Sequence, residues 1–554
     1  MILRRGAWLL AVSLCGLTQA QTVERVSLTS QGAEGNGSAR RVLLSADGRY
    51  VAFASDADDL AAQDTNGVQD VFWHDRVTGE TRLVSRATTG SSGNGSSGPR
   101  CPDCTDGLAL SAGGRFVAFA SDATDLVPGD TGGLRDIFVY DTQYQTLECV
   151  SRTSAGGQPN QNCLEPTISG DGNWVAFRSL ADNIVSGDSN FKSDVFLVDR
   201  SQNRIRRVSE ASGGIQANGG SFAPAISENG LWLAFESDAG NLVPGDTNST
   251  VDIYVLEIGS GLMERVSVDS AEQQIFEDSV HPFLSADGRF VVFSSPSGAL
   301  VAGDTNSALD VFLRDRWLGT TERVSLTDGG GEGNHVSRRG SVTADGRLVV
   351  FESWASNLVP GDTSNDRDIF LRDRFAGRTI QVSLVPNGAQ ANGSSFQPSL
   401  ASSGRRIAFE SQATNLDFND TNGVADAFVV DRFQVSPEGV AATGQPFRFS
   451  IENANDEVGF FAQVLLSCTG TDGFTPADDP AFWIPLTFDS CTLIGLTYWP
   501  GLSGDIGPSG GLKTRTIPFP PAPVGLRLWA AAVTFDRSGN SYGSATPPYR
   551  FITQ

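Results

Sequence analysis

The chain predicts an all-β fold: a seven-bladed β-propeller over 21–433, closed by its own N-terminal strand, then a β-sandwich-like domain over 434–554. Three observations predict it. First, a turn motif close to S-A-D-G-R recurs with its glycine at Gly48, Gly114, Gly172, Gly230, Gly288, Gly346 and Gly404; the interval is 66 residues once and 58 thereafter. Second, every copy carries four strand-like runs and no helical periodicity. Third, the last copy stops at Asp431-Arg432-Phe433 without its T-x-R-V-S strand, while a spare one, 22–28, stands ahead of the first. A unit repeated at fixed spacing buries its apolar face only against its neighbours. A ring zipped by the spare strand leaves no open sheet edge.

Segment 1–20 stands apart from that ring. Arg4 and Arg5 precede an apolar run over 7–17, and Thr18-Gln19-Ala20 offers small residues for cleavage, so a secretory signal and an exported chain are expected. The run is too short for a membrane anchor. Leu14 before Cys15 is bulky where a lipoprotein signal wants a small residue.

One copy, 222–267, illustrates a blade. Pro224-Ala225-Ile226-Ser227 reads as a short strand and Glu228-Asn229-Gly230 as a tight turn suited to positive φ. Leu231-Trp232-Leu233-Ala234-Phe235 is apolar on both faces, as a strand between two sheets must be. Asp252–Leu256 and Met263–Ser267 supply the third and fourth strands. Phe53, Phe119, Phe177, Phe235, Phe293, Phe351 and Phe409 share one site of the second strand, and a second aromatic series shares one site of the third. Seven identical copies point to packing, each worth roughly 1.5–3 kcal/mol when buried.

The pattern S-x-D-G-x-x-V-A-F-x-S, followed by D-I-F-V-x-D and R-V-S, resembles the bacterial, secreted TolB-like (WD-repeat-like) β-propeller repeat over about 22–433. Through it the chain also resembles propellers attached to prolyl-oligopeptidase-type proteases. The resemblance implies a protein-binding platform, a substrate gate or a sugar-processing scaffold. In two respects the chain departs from those families. No hydrolase domain follows the ring, and the separate N-terminal domain that precedes a six-bladed ring in TolB has no counterpart.

After Phe433 the repeat ends. Strand-like runs at 447–451, 459–467, 482–488, 514–519, 526–535 and 549–552, separated by Pro- and Gly-rich turns, suggest the β-sandwich.

Charge narrows the partners. Lys+Arg 40 against Asp+Glu 64 gives −24, with Lys192 and Lys513 the only lysines. Such a surface repels phosphate backbones and anionic lipid, so nucleic acid and membrane are not expected as partners. Six cysteines after the signal suggest disulfides in an exported protein: Cys101 with Cys104 across a local loop, Cys149 with Cys163, and Cys468 with Cys491. The first four allow three connectivities, which sequence leaves open.

Strand order puts the D-G and T-G turns on one face and the long G-D-T-N loops, with the loops after R-V-S, on the other. A ligand is expected at that long-loop face. There Asp64-x-Asn66-x-x-x-Asp70 recurs as Asp246, Asn248 and Asp252, as Asp304, Asn306 and Asp310, and as Asp420, Asn422 and Asp426. Asp130/Asp136, Asp188/Asp194 and Asp362/Asp368 keep the paired aspartates. Oxygen donors so spaced suit Ca2+. In the competing reading the first Asp caps a turn and the second opens the third strand. No cofactor is required by either.

Nucleophilic catalysis has one candidate string, Gly507-Pro508-Ser509-Gly510-Gly511, with no strand–turn–helix context around it. Asymmetry is better seen where each innermost strand begins: Arg41, Gly107, Glu165, Ala223, His281, Arg339 and Gln397 should ring the channel mouth. Arg41, Glu165, His281 and Arg339 form the most ligand-like set. The expectation is an exported, non-catalytic scaffold binding a protein, peptide or glycan. The alternative is a hydrolase or lyase at the channel mouth using Glu165, His281 and Arg339.

Overall fold

A computed structural model describes residues 21–100, 107–130 and 132–432, and beyond them the backbone of a few short strands. The signal segment and the Cys101/Cys104 loop lie outside the described residues.

Residues Gln21–Asp431 form one compact unit of seven four-stranded antiparallel sheets. Blade 1 is Ala39–Leu44, Tyr50–Ser55, Asp70–Asp75 and Glu80–Leu83. Blades 2 to 6 repeat it, ending on Thr146–Cys149, Arg204–Arg207, Met263–Arg265, Thr320–Arg323 and Arg378–Gln381. Blade 7 takes three strands from Ser395–Leu400, Arg406–Ser411 and Asp426–Arg432, and its fourth from Gln21–Arg25. The predicted closure is therefore present. Val26 N–H donates to the Ala427 carbonyl at 2.8 Å, and the Ser27 hydroxyl to Asp426 at 2.5 Å.

The repeated letters each have a mechanical reason. In every blade the second-strand aromatic stacks on its cross-strand partner in the third, from Phe53–Phe72 at 5.7 Å to Phe409–Phe428 at 6.2 Å. The pair also packs on the preceding blade: Phe293 and Phe312 join Ala234, Ile253 and Val255. The D-G glycine has positive φ, and at Gly288 (φ 76°) the Trp232 ring of the previous blade fills the space a Cβ would take. The arginine after that glycine reaches the aspartate closing the third strand, as in Arg289–Asp315 at 2.6 Å. The serine of R-V-S donates to the aspartate opening it, as in Ser267–Asp252 at 2.5 Å.

Two expectations change. The first strand of blade 4 runs Ser221–Ile226, earlier than the 224–227 read from sequence, because a bulge at Ala223 interrupts the apolar alternation. Cys149 and Cys163 are free, so the bridge expected between them is not formed. Burial pushes the Cys149 thiol up to about 12 and Cys163 well above its ordinary value. Both stay protonated at neutral pH, and the thiolate that would attack a sulfur is suppressed.

Beyond the ring, Val435–Glu438, Phe447–Glu452 and Phe461–Leu466 form a three-stranded antiparallel sheet, and Cys468–Thr469, Thr492–Leu493 and Leu486–Thr487 a smaller one. The side chains of Cys468 and Cys491 lie outside the described residues. So does the region that would test the sandwich.

Candidate functional site at the channel mouth

The innermost strands pack side by side around the axis, and six of the seven have a bulge near their start, Gly107 standing just before the remaining strand. The residue at this position is left-handed in every blade: Arg41 (φ 51°), Gly107 (98°), Glu165 (56°), Ala223 (45°), His281 (58°), Arg339 (55°) and Gln397 (49°). The predicted mouth ring is thus one repeated backbone feature, glycine once and a side chain six times. A left-handed residue with a side chain carries a backbone cost of roughly 1–2 kcal/mol, which neighbouring contacts must offset.

The offset comes from the variable letter of V-A-F-x-S, overlooked in the sequence. That position reads Ala54, Ala120, Arg178, Glu236, Ser294, Glu352 and Glu410. In four blades it accepts the N–H of the next bulged residue, whereas Ala54 and Ala120 have no side-chain acceptor. Glu410 takes Arg41 N–H at 2.9 Å, Glu236 takes His281 at 2.6 Å, Glu352 takes Gln397 at 2.7 Å, and Ser294 takes Arg339 at 3.3 Å. Blade 3 uses a variant: Arg178 holds Glu165 at 2.7 Å, and Glu165 itself accepts Ala223 N–H at 2.7 Å. The letter itself was legible, changing chemical class from copy to copy between an invariant Phe and an invariant Ser; the residue it serves was not, because that lies in the next blade.

Electrostatics divide the mouth into arcs. Burial pushes the Glu236 carboxyl up to about 7, helped by the nearby Glu165 charge. Burial likewise raises Glu410 to about 7, with Glu352 adding to it. His281 is held neutral, lowered to about 3 by burial and then by Arg339 and Arg338; its Nδ1 has no hydrogen-bond partner. Beside it, Glu352 is fully buried among Arg338 (2.8 Å), Arg339 and Arg367 (3.4 Å each). The Arg338 and Arg367 guanidinium groups lie over the Trp354 ring at 5.0 and 4.3 Å. Phe283, on the same innermost strand as His281, is 38% exposed.

Of the four predicted residues, His281 and Arg339 are brought together. Glu165 sits two blades from His281, near Glu236 of the blade between, and Arg41 is set against Glu410 across the closure. A buried acid poised near neutrality, as Glu236 is, can hold or exchange a proton. Guanidinium–aromatic stacks with carboxylates suit a polar ligand with ring or anionic groups.

The aspartate loops lie on this face, as predicted. Their asparagines tie each loop to the next: Asn248 Nδ2 donates to Asp252 at 2.9 Å and to the Ile275 carbonyl at 2.7 Å. In three loops of the calcium motif an arginine of R-V-S sits between the carboxylates. Arg265 lies 3.0 Å from Asp246 and 3.4 Å from Asp252. Arg323 lies 3.1 Å from Asp304 and 3.5 Å from Asp310. Arg25 lies 4.0 Å from Asp420 and 3.3 Å from Asp426. A guanidinium already supplies positive charge there. Among the described residues no group of three or more His, Cys, Asp or Glu is arranged to hold a metal. No described helix is long and apolar enough to cross a membrane.

No protein-family model matches the sequence, and no curated protein does. Among solved structures the chain is similar to an oligogalacturonate lyase in complex with manganese (14% identity, 75% of this chain, 94% of that one, TM-score 0.46). It is similar to TolB from Acinetobacter baumannii (12% identity, 71% and 78% covered, TM-score 0.32). It is also similar to the β-propeller domain of the Trilobed protease from Pyrococcus furiosus (9%, 68% and 89%, TM-score 0.42).

Proposed function

We propose that the protein is an exported, non-catalytic propeller that binds a protein, peptide or glycan at the channel mouth of its long-loop face. One observation carries this reading: while the turn glycines and core aromatics recur, the bulged residues and the variable letter of the second strand change chemical class from blade to blade. Scaffold positions are nearly identical in seven copies, so a charged, aromatic-flanked ring that differs blade by blade is where specificity can reside. Arg338, Arg339 and Trp354 would engage the ligand, and Glu165, Arg178 and Glu236 would form the opposite arc. The acidic exterior keeps nucleic acid and anionic membranes away.

The test immobilises the full chain, screens peptide and glycan panels, and repeats the positive with Arg339→Ala and Trp354→Ala. Loss of binding in variants with an unchanged melting temperature supports the mouth. Binding that survives both substitutions removes it.

A second reading has its own observation, the Glu236 carboxyl pushed up to about 7 where it accepts the His281 backbone N–H at 2.6 Å. A hydrolase or lyase would use that carboxyl for proton transfer. Turnover of a bound glycan or peptide, lost in Glu236→Gln while binding persists, would favour the enzyme over the scaffold.

A further inference from the structure

The seven aspartate pairs are a controlled comparison within one molecule. In blades 3, 4, 5 and 7 the residue before V-S is Arg207, Arg265, Arg323 or Arg25, each within 4.0 Å of both carboxylates of its pair. Blades 2 and 6 have no arginine there but serve the first aspartate otherwise. Gln158 Nε2 donates to Asp130 at 3.0 Å, and Ser364 gives Asp362 its N–H at 3.2 Å and its hydroxyl at 3.4 Å. Blade 1 has neither device. Leu83 occupies the arginine's register opposite Phe72, as Arg323 does opposite Phe312. Ser92 is too short to replace Gln158, and its hydroxyl instead accepts Thr65 N–H at 3.0 Å.

Asp64 is consequently anomalous. It is 5% exposed and neither carboxylate oxygen has a hydrogen-bond partner; Asp304 and Asp420 share that lack, but each has an arginine within 4.0 Å and Asp64 has none among the described residues. The Asn66 N–H, the Asp70 carboxyl and the Ser92 hydroxyl lie close enough to ease its charge, but none makes a hydrogen bond to it. Asp70 beside it accepts from Ser85 at 2.5 Å and from Asn66 Nδ2 at 2.6 Å. The charge of Asp58 adds to the excess. Two buried carboxylates with no cation are costly, and four sister blades show what fills that space.

We propose that the Asp64–Asp70 pair of blade 1 binds a calcium ion in the position that sister blades fill with a guanidinium. The donors are all oxygen, which selects a hard cation over zinc or copper. Asn66 is not a ligand, because its Oδ1 accepts Val68 N–H at 2.9 Å. With two protein carboxylates and water completing the shell, binding is weak, in the range of about 10⁻⁴–10⁻³ M. This site is independent of the channel-mouth reading.

The experiment melts the full chain in chelator and in calcium raised to about 10–100 mM, a hundredfold over that Kd range, with calorimetry alongside. Calcium at a hundredfold excess over Kd should raise the melting temperature by about 3 °C. Leu83→Arg supplies the missing guanidinium, so it should melt higher in chelator and lose the calcium response. Asp64→Asn, nearly isosteric, should lose the response too and decides the matter if Leu83→Arg fails to fold. No calcium heat and no shift in the unmodified chain would overturn the proposal, as would a response surviving in Asp64→Asn or an equal shift with sodium at matched ionic strength. A calcium-indifferent melt that rises between pH 8 and 6 would assign the gap to a shared proton, and overturns it equally.

Discussion

At the scale of single residues, repeated glycines divide by what surrounds them. Gly288 and Gly129 both have positive φ, but Gly288 abuts the Trp232 ring whereas Gly129 faces open space. Alanine at Gly129 should cost about 1 kcal/mol, the left-handed penalty alone. At Gly288 it should cost about 2–4 kcal/mol, because the ring must also shift; chemical denaturation of both variants measures the difference. Buried glutamates give a pH prediction. Glu236 and Glu410 titrate near 7 when folded and near 4.5 when unfolded. The folded state therefore binds extra protons between those values, and stability should fall as pH rises from about 4.5 through 7. Glu236→Gln should flatten part of that slope while keeping the oxygen that accepts His281 N–H. A slope unchanged in the variant would show that Glu236 is already ionised at pH 5. The D-G turn was legible in the sequence, because its chemistry is local. Neither the ring beneath Gly288 nor the carboxylate behind His281 was legible, since both lie in the neighbouring blade.

At the scale of elements, R-V-S is a clasp. Its serine holds the aspartate that opens the third strand, and in four blades its arginine spans both loop carboxylates. Arg323→Leu would leave Asp304 and Asp310 buried without their cation and should cost about 3–5 kcal/mol, read as a lowered denaturation midpoint. The motif was legible as a strand and its arginine as a repeated letter. That the arginine competes with calcium for the same space was not, because twelve candidate ligands look equivalent until the strand register places Leu83 where others have arginine. The N-terminal strand is the clearest element-scale success. Deleting residues 21–30 should strip the outer strand from blade 7, expose its edge and cause aggregation; light scattering during a thermal ramp would register it, and a monomeric variant with unchanged melting would refute the closure.

At the scale of the molecule, the count of seven blades came from spacing alone, because a ring's geometry is set by its repeat. The mouth was legible only in outline. Position in the repeat located Arg41, Glu165, His281 and Arg339, yet the partners that split them into arcs sit on other strands. One property belongs to the ring as a whole. The fourth strand of its last blade is the first described stretch of the chain, with Ser27 and Asp426 399 residues apart in sequence. A chain made from its N-terminus must hold that strand unpaired until residue 426 has emerged. Closing a loop of that length costs about 3 kcal/mol more than closing one of 15 residues. Completion is thus a length check built into the topology: a chain interrupted anywhere before its last blade retains an unmatched edge and can be recognised as unfinished.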